Sequence, residues 1–395
     1  MNNGREVVVV SGVRTAIGDY GGALKDLAPT ELAARVVREA VSRAKVAPED
    51  VGHVVFGHVI HTEPKDMYLS RVAAINGGLP KETPALTLNR LCGSGLQAIV
   101  SASQAVLLGD TDVALAGGAE SMSRGAYALP AARWGARMGD AQIMDMMVGA
   151  LTDPFDTVHM GITAENVAAK WGISRTMQDE LAVESNHRAA NAIAKGWFKE
   201  QILPIELKSK KGPALFDTDE HPRADASMEG MAKLRTVFQK DGSVTAGNAS
   251  GINDGAAAVV LMERKAAERK GMKPLARLVA YAHAGVDPKY MGIGPVPAVK
   301  KVLERAAVKL EQIDVIESNE AFAAQACAVA KDLGFDMKKV NPNGGAIALG
   351  HPIGATGCIL TVKALYELQR TGGRYGLVTM CIGGGQGIAA VFERL

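Results

Sequence analysis

The sequence predicts an α/β fold in which similar strand and helix layers occur at both ends of the chain, separated by a long middle segment. Three observations predict it. Buried-strand patterns alternate with helical patterns near the N-terminus, the same alternation returns after Pro274, and glycine-rich turns follow several predicted strands. At 395 residues, the chain is long enough for two or three domains or for one duplicated architecture.

The first elements predict a mainly parallel layer. Residues Arg5–Gly12 include four consecutive valines and predict a strand buried on both faces. Residues Pro29–Ala44 predict a helix with an apolar face, for which Thr30 is a plausible N-cap. Two further strand-like runs occur at Val51–Ile60 and Asp112–Gly118. Such an alternation is typical of a mainly parallel α/β sheet.

A reactive cysteine is indicated by the segment Asn89–Gly95, which reads NRLCGSG. It lies between an extended apolar run, Pro84–Leu88, and a predicted helix, Leu96–Leu108. Cys92 is therefore expected on a strand-to-helix turn, where the positive end of the helix dipole favours the thiolate. From this motif alone, a buried and inert cysteine is an equally open interpretation.

The middle of the chain, from Glu120 to about Met272, differs in character. Residues Tyr127–Met147 are rich in methionine and tryptophan, and Lys208–Lys211 is a short basic run. We interpret this part as a large excursion of loops and helices rather than a third independent core. An exposed, methionine-rich segment typically contacts a ligand or a subunit, although a solvated insertion without function remains open.

After Pro274 the alternation of strands and helices returns. The predicted strands are Leu275–Gly285, Val315–Ser318 and Tyr375–Cys381, and the predicted helices are Pro297–Ala307, Phe322–Leu333 and Gly354–Leu368. Residues Asn89–Gly118 and Asn341–Gly387 share the order of strand, glycine-rich turn, helix, strand and glycines. We therefore predict that the two ends arose by duplication.

Composition argues against several classes of protein. A net charge of +2 gives no support for binding to nucleic acid or to an anionic membrane. The sequence shows no N-terminal signal and no run of ~18 uninterrupted apolar residues. Its four cysteines show neither paired nor metal-ligand spacing, so we expect reduced thiols in a cytoplasmic protein without a metal site.

Three more segments place reactive side chains beside glycines, namely Asn319, His351 and Cys381. Each could have a structural role by itself, but together with Cys92 all are expected at the carboxyl ends of strands, where α/β sheets gather their sites. One thiolate could be a nucleophile activated by the imidazole, the second sulfur could exchange a proton with the substrate, and glycine N–H groups could hold an oxyanion. This set suits acyl transfer through a thioester. It does not suit zinc, and the GGGQG run fails the dinucleotide-binding spacing.

Four segments resemble the signature blocks of the thiolases: NRLCGSGLQA, SNEAFAAQ, NPNGGAIALGHPIGATG and MCIGGGQGIAAVFE. HMGITAENVA, TAGNASGINDGAAA and MGIGPVPA also match that family, so the resemblance covers essentially the whole chain. It implies two similar halves, each a mixed five-stranded sheet packed with helices, with a large loop domain inserted in the first half. The implied parts are residues 1–119 with 249–272, the loop domain 120–248, and residues 273–395.

The resemblance also implies catalytic roles. Cys92 would be the nucleophile that becomes acylated, and His351 would take its proton. Cys381 would exchange a proton with the α-carbon of acetyl-CoA. Asn319 would hold a water that forms one oxyanion hole with His351, and the backbone N–H groups of Cys92 and Gly383 would form the other.

Coenzyme A is implied as a substrate and product, with no permanently bound cofactor. Arg223, supported by Lys208–Lys211 and Lys233, would lie near a nucleotide phosphate. The residues implied to contact coenzyme A are Leu151, His159, Met160, Arg223, Phe238, Ala246, Ser250, Ala321 and Phe322.

The implied activity is that of an acetyl-CoA C-acyltransferase, or beta-ketothiolase, working by a ping-pong mechanism. It would condense acyl-CoA with acetyl-CoA, or cleave a 3-ketoacyl-CoA with coenzyme A, in fatty acid metabolism or polyhydroxyalkanoate biosynthesis. Residues 159–161 (HMG) and Met291 favour short acyl chains, and Tyr127–Met147 would join dimers into a homotetramer. A 3-ketoacyl synthase, a binding protein with a degenerate site and a cysteine hydrolase remain as alternatives.

Overall fold

The structure is a computed structural model that describes residues 4–208 and 212–395, so the end of the predicted basic run, residues 209–211, lies outside the described residues. The strands are β1 Val7–Thr15, β2 Gly18–Asp19, β3 His53–Gly57, β4 Ala85–Leu88, β5 Val113–Ser121, β6 Tyr127–Ala128, β7 Met144–Asp145, β8 Ile202–Leu203, β9 Ile205–Leu207, β10 Ala214–Phe216, β11 Asn253–Glu263, β12 Ala276–Gly285, β13 Ile313–Ser318, β14 Tyr375–Ile382 and β15 Gln386–Arg394. The helices are α1 Pro29–Ala44, α2 Leu69–Asn76, α3 Ser94–Leu108, α4 Met146–Ala150, α5 Met160–Trp171, α6 Arg175–Ala194, α7 Met228–Ala232, α8 Arg264–Arg269, α9 Pro295–Ala306, α10 Ala323–Leu333, α11 Ala346–Leu349 and α12 Ile353–Thr371.

One sheet topology occurs twice along the chain. In the first half the strand order is β1-β11-β5-β3-β4, with β11 antiparallel to both of its neighbours and β5, β3 and β4 mutually parallel. In the second half the order is β12-β15-β14-β13, with the same directions. The counterpart of β4 is reduced to one parallel bridge between Ile316 and Val340. The predicted pair of similar mixed layers is therefore confirmed.

The two layers meet edge to edge. Strand β1 pairs with β12 through only two residue pairs, Val8 with Arg277 and Val9 with Ala276. This short contact makes one continuous sheet of the two halves.

Helices α3 and α12 cross near their N-terminal ends, and glycines allow the close contact. A Cβ atom at Gly357 would lie 2.2 Å from the backbone nitrogen of Leu96, and one at Gly95 would lie 2.7 Å from the backbone nitrogen of Cys358. Real side chains cannot occupy such space, so only glycine permits this crossing. Because Cys92 directly precedes α3 and His351 directly precedes α12, the crossing brings these two residues together.

Helix α3 also explains an apolar stretch of the sequence. The 18 residues Leu91–Leu108 are long and apolar enough, by composition, to cross a membrane, and 56% of them are buried inside the protein. Since α3 packs on β3, β5 and α12, it is a core helix of the fold.

A buried ion pair ties the middle segment to the sheet. Both side chains of the pair are fully buried, and the guanidinium of Arg14 in β1 donates to the two carboxylate oxygens of Asp219 at 2.7 and 2.9 Å. Arg14 also donates to the side chain of Gln201 at 2.8 Å. Removing one partner would leave a buried charge unpaired, at a high cost in stability. The ion pair therefore fixes the place where the middle segment returns to the sheet.

Two central strands were missed by the sequence analysis. The segment from Glu120 to about Met272 was interpreted as loops and helices, yet it contains β11, whose eleven residues are all buried between β1 and β5. Strand β15 begins at Gln386, within the GGGQG run, and was also not predicted. The helices and strands that were predicted with bounds lie where the patterns placed them, with their ends shifted by a few residues.

Candidate active site

Cys92 sits on a tight turn between β4 and α3, as expected. Leu91 adopts the left-handed conformation with a φ of +44°, which is strained for a residue with a branched side chain. The hydroxyl of Ser94 holds this turn closed, because it accepts the N–H of Arg90 at 2.8 Å and donates to the carbonyl of Leu91 at 2.7 Å. The turn presents the Cys92 side chain at the start of the helix.

The Cys92 thiol is not the resting thiolate that the helix position favours. Burial raises the pKa of Cys92 to about 11, and hydrogen bonds from the backbone N–H groups of Gly383 and Cys92 offset this only in part. Desolvation of the charged form outweighs these donors, so of the two states left open by the motif, thiolate and thiol, the resting sulfur is the thiol. The same two N–H groups are the pair predicted as an oxyanion hole, and they converge at the sulfur.

Gly383 belongs to the hairpin that joins β14 and β15. Gly384 and Gly385 have φ values of +81° and +84°, which favour glycine. A Cβ atom at Gly383 would lie 2.9 Å from Cε of Met160 and 3.2 Å from a methyl of Leu91, so this position is also crowded. The hairpin thereby brings its backbone against the Cys92 turn.

The second thiol, Cys381, lies in β14 and is fully buried. Burial raises its pKa, and the neighbouring Cys92 raises it further. The two sulfurs are therefore close enough to influence each other's charge, as the proposed chemistry requires.

His351 is buried and held in one tautomer. Its Nδ1 lies 2.6 Å from the hydroxyl of Thr356, and that hydroxyl donates its proton to the carbonyl of Pro352 at 3.0 Å. The hydroxyl must then accept from Nδ1–H, which leaves the lone pair of the neutral ring on Nε2. Burial lowers the pKa of His351 to about 4, so the ring is neutral near pH 7.

Asn319 faces this lone pair. Its Nδ2 lies 3.5 Å from Nε2 of His351, while its backbone N–H donates to the carbonyl of Thr379 at 3.0 Å. Its Oδ1 is buried and has no hydrogen-bond partner among the described residues. A buried carboxamide oxygen in this state requires a water or a ligand as donor.

The four reactive residues were expected at the carboxyl ends of strands. Three of them are there: Cys92 and Asn319 follow β4 and β13, and Cys381 is the penultimate residue of β14. The expectation is wrong for His351, because the short helix α11, Ala346–Leu349, precedes it. Helix crossing, not strand order, brings His351 to the site.

Three adjoining cavities lead from this centre to the surface. The inner cavity, of about 50 Å³, is lined by Cys92, His351 and Gly383. It shares Leu151, Ser250, Phe322 and His351 with a middle cavity of about 470 Å³. The middle cavity in turn adjoins an outer cavity of about 420 Å³, which contains Arg223.

All nine residues implied to contact coenzyme A line these cavities. Met160 and Ala321 line the inner cavity, and Arg223 lines the outer one. The remaining residues line the middle cavity, in four cases together with another cavity: Leu151, His159, Phe238, Ala246, Ser250 and Phe322.

Aromatic rings form one wall of the middle cavity. His159 caps α5 by accepting the N–H of Gly161 at Nδ1, and its ring stacks on Phe238 with 4.6 Å between centroids. Phe238 meets Phe322 edge to face at 6.2 Å. Burial lowers the pKa of His159, so this wall is uncharged near pH 7.

Of the basic residues expected at the outer cavity, Arg223 lines it and Lys233 does not, while residues 209–211 lie outside the described residues. Arg223 is exposed there, and its backbone N–H donates to the side chain of Asn186 at 2.9 Å. Lys233 instead pairs with Glu229 at 2.8 Å, on the exposed face of α7.

Four residues near the site were missed by the sequence analysis. Asp19 and His221 line the middle cavity, Asn253 accepts the backbone N–H of His351 at 2.9 Å, and Thr356 sets the His351 tautomer. Thr356 and Asn253 lie inside the family-like blocks, but nothing in the residue pattern distinguishes them from packing residues.

The fold and the site together define an enzyme that transfers acyl groups through a cysteine. A nucleophile, a neutral imidazole and converging N–H donors surround one small cavity at the end of a channel, and a second thiol lies close to the nucleophile. Within residues 4–208 and 212–395, no group of three His, Cys, Asp or Glu side chains is arranged to hold a metal ion.

Comparisons with known proteins agree with this class. A family model described as "Thiolase, N-terminal domain" matches residues 7–265, and one described as "Thiolase, C-terminal domain" matches residues 272–394. The chain is 70% identical over 392 residues to the beta-ketothiolase BktB of Cupriavidus necator, covering 99% of this chain and 100% of that protein. It belongs to the thiolase family.

Solved structures confirm the fold. The crystal structure of Bacillus anthracis acetyl-CoA acetyltransferase has a TM-score of 0.97 and 48% identity, covering 99% of both chains. That of human mitochondrial 3-ketoacyl-CoA thiolase in complex with CoA has a TM-score of 0.96 and 44% identity, covering 99% of this chain and 98% of that one. The expected thiolase-like fold and acyltransferase class are therefore confirmed.

Proposed function

We propose that this chain is an acetyl-CoA C-acyltransferase that works by a ping-pong mechanism through an acyl thioester on Cys92. The observation that supports it most is that Cys92, His351 and Gly383 line the inner cavity, while Cys381 is close enough to Cys92 for its pKa to be raised and Asn319 faces His351. The alternatives fit less well, because neither a 3-ketoacyl synthase nor a cysteine hydrolase needs a second thiol beside the nucleophile.

Acylation uses the neutral tautomer of His351. Its Nε2 takes the proton of the Cys92 thiol as the sulfur attacks the thioester carbonyl, and returns that proton to the departing coenzyme A thiolate. A thiol whose pKa is about 11 needs such a base near pH 7. The N–H groups of Cys92 and Gly383 stabilise the oxyanion on the acyl group held at Cys92.

Carbon–carbon bond formation uses the second thiol. The imidazole of His351 first takes the proton of the Cys381 thiol, and the resulting thiolate takes a proton from the α-carbon of acetyl-CoA. The carbanion attacks the Cys92 thioester and displaces its sulfur, which receives the proton held by His351. The enolate oxygen is stabilised by His351 and by a water on Asn319, whose Oδ1 lacks a protein partner among the described residues. The displaced Cys92 sulfur regains a proton, so protons move only among the substrate, the two sulfurs and the imidazole. Thiolysis is the reverse.

Short acyl chains fit the inner cavity best. Its volume of about 50 Å³ leaves room for a few carbon atoms, and the methionines Met160 and Met291 occupy its wall. Longer chains would require both side chains to move. We therefore propose acetyl-CoA, short acyl-CoA and short 3-ketoacyl-CoA as substrates.

Coenzyme A would lie along the three cavities, with its thioester in the inner one. The loop domain, residues 120–248, supplies much of that channel, including His159 and Phe238 in the middle cavity and Arg223 in the outer cavity. Arg223 is then free to meet a phosphate. We propose a cytoplasmic location, in keeping with four free thiols.

The test is mass spectrometry of the protein after incubation with acetyl-CoA. Cys92→Ala should carry no acetyl group, whereas Cys381→Ala should be acetylated but should form no acetoacetyl-CoA. Cys327→Ala, which changes a half-buried cysteine away from the site, is the matched control and should behave as the wild type. Acetylation that persists in Cys92→Ala would refute the assignment.

We also propose that the chain forms a homotetramer, as a dimer of dimers, through residues Tyr127–Met147. Large apolar side chains are exposed on this segment, including Trp134 at 84% and Met138 at 97%. Such exposure marks a contact surface. Light scattering on a variant with this segment trimmed should detect dimers, and an unchanged tetramer would contradict the proposal.

A further inference from the structure

His221 stands where the outer and middle cavities join. Among the described residues, His221 and Ala246 are the two that line both cavities. A ligand that reaches from Arg223 in the outer cavity to Cys92 therefore passes this imidazole. The sequence analysis assigned His221 no role.

Asp19 fixes the protonation and the orientation of this ring. Nδ1 of His221 is hydrogen-bonded to Oδ1 of Asp19. Because a carboxylate only accepts, Nδ1 carries the proton and the neutral ring has its lone pair on Nε2. Asp19 is itself held in place, because its backbone N–H donates to the carboxylate of Glu220 at 2.8 Å.

The ring lies in a notch that a glycine leaves open. A Cβ atom at Gly251 would lie 2.6 Å from Cε1 and 3.0 Å from Nδ1 of His221. The side chain is 22% exposed, and Nε2 has no hydrogen-bond partner among residues 4–208 and 212–395. Within the described residues, the structure thus presents one oriented acceptor without a partner at the junction of the two cavities.

We propose that Nε2 of His221 accepts a hydrogen bond from an amide N–H of the pantetheine arm of coenzyme A. This inference rests on the proposed function. The arm carries two amides, and an amide that enters a channel walled by Phe238 and Ile252 loses water and needs a partner. Since the junction is remote from Cys92, the amide concerned is the one farther from the thioester.

A purely structural role must be distinguished from this contact. Asp19 also accepts from the side chain of Asn253 at 3.3 Å, and Asn253 in turn holds the backbone N–H of His351 at 2.9 Å. Loss of the His221 side chain could therefore disturb His351 through this series of hydrogen bonds. Such a disturbance would slow acylation by every thioester, whatever the length of its arm.

Single-turnover acetylation of Cys92, followed by mass spectrometry, separates the two roles. Three donors are compared: acetyl-CoA, acetylpantetheine, which keeps both amides, and S-acetyl-N-acetylcysteamine, which keeps only the amide nearer the sulfur. The variants are His221→Leu, His221→Gln, whose side-chain oxygen can still accept, and His53→Leu as a matched control at a half-buried histidine at the start of β3, which lines none of the three cavities.

His221→Leu should lower the second-order rate about three- to tenfold with the two longer donors, and less than about twofold with the shortest. His221→Gln should recover most of that loss, and His53→Leu should match the wild type. An equal loss with all three donors, or no loss with any, would overturn the inference. A wild-type protein that no donor acetylates would overturn the proposed function itself, and this inference with it.

Discussion

Replacing Thr356 by valine tests how the base is prepared. Valine has nearly the shape of threonine, so the change removes the hydroxyl that lies 2.6 Å from Nδ1 of His351 and little else. The ring then either keeps its proton on Nδ1 without an acceptor, or moves it to Nε2. In the second case the nitrogen that should take the Cys92 proton no longer has a lone pair.

The size of the effect follows from burial. His351 is only 6% exposed, so water does not readily replace the hydroxyl. A buried donor without a partner costs about 1–3 kcal/mol, which corresponds to a factor of roughly 5 to 150 in a rate. We therefore expect kcat to fall about 10- to 100-fold.

The assay is thiolysis of acetoacetyl-CoA, with the rate of Cys92 alkylation by iodoacetamide as a second measurement that needs no coenzyme A. Both rates should fall in Thr356→Val, while Thr356→Ser, which retains the hydroxyl, should stay near the wild type. The contrary outcome is that Thr356→Val has the same unfolding temperature as the wild type and keeps both rates within about twofold of the wild-type rates. That result would refute the argument that the Thr356 hydroxyl holds His351 in its active tautomer.

Two further changes test packing and buried charge. Gly357→Ala should cost about 1–3 kcal/mol of stability and lower kcat, because the new methyl would lie 2.2 Å from the backbone nitrogen of Leu96. Thermal unfolding measures the loss of stability. The control Gly149→Ala should show no such loss, because no atom lies within 4 Å of the new methyl there. The second change is His58→Gln. Burial alone would lower the pKa of His58, but the carboxylate of Glu120, 3.1 Å away, and its other partners raise it. Because its pKa is raised in the folded state, protonated His58 stabilises the fold. This stabilisation is complete below the ordinary pKa near 6.5 and is lost as the pH rises through the folded-state pKa. Urea unfolding should therefore show a larger gap between wild type and His58→Gln near pH 6 than near pH 9, and a gap that grows toward pH 9 would contradict the argument.

The sequence predicts the strands whose residues favour strands intrinsically, and misses those stabilised by neighbours. The four valines of β1 indicate a buried strand by themselves. In β11 the run Gly255–Ala258 is made of glycine and alanine, which have low strand propensity, so only pairing with β1 and β5 specifies it. Strand β15 begins Gln386–Ala390 with the same weak pattern between β12 and β14.

The chemistry of the site could be predicted further than its geometry. Cys92, His351 and Cys381 are recognisable because reactive side chains beside glycines are unusual in a packing motif, and Asn319 because it follows a predicted strand. The residues that position these side chains are not recognisable from the sequence. Thr356, for example, acts only through the contact of its hydroxyl with Nδ1 of His351, and that contact exists only because α12 begins between the two residues. His221 is less visible still, because its partner Asp19 lies 202 residues away in the chain.

Glycines explain why the sequence segments that resemble the thiolase signature blocks are longer than the reactive residues alone would require. Positions 95, 357 and 383 each lie where a Cβ atom would come within 3.0 Å of another group, and each lies within a few residues of a reactive side chain in sequence. Two helix starts and one hairpin can converge on a single acyl carbon only if their backbones approach closely. These blocks therefore specify a backbone approach as much as a set of reactive groups. It follows that a chain with all four reactive residues intact, but with alanine at position 357, would keep the chemical groups of an acyltransferase while losing the helix crossing that makes them one site.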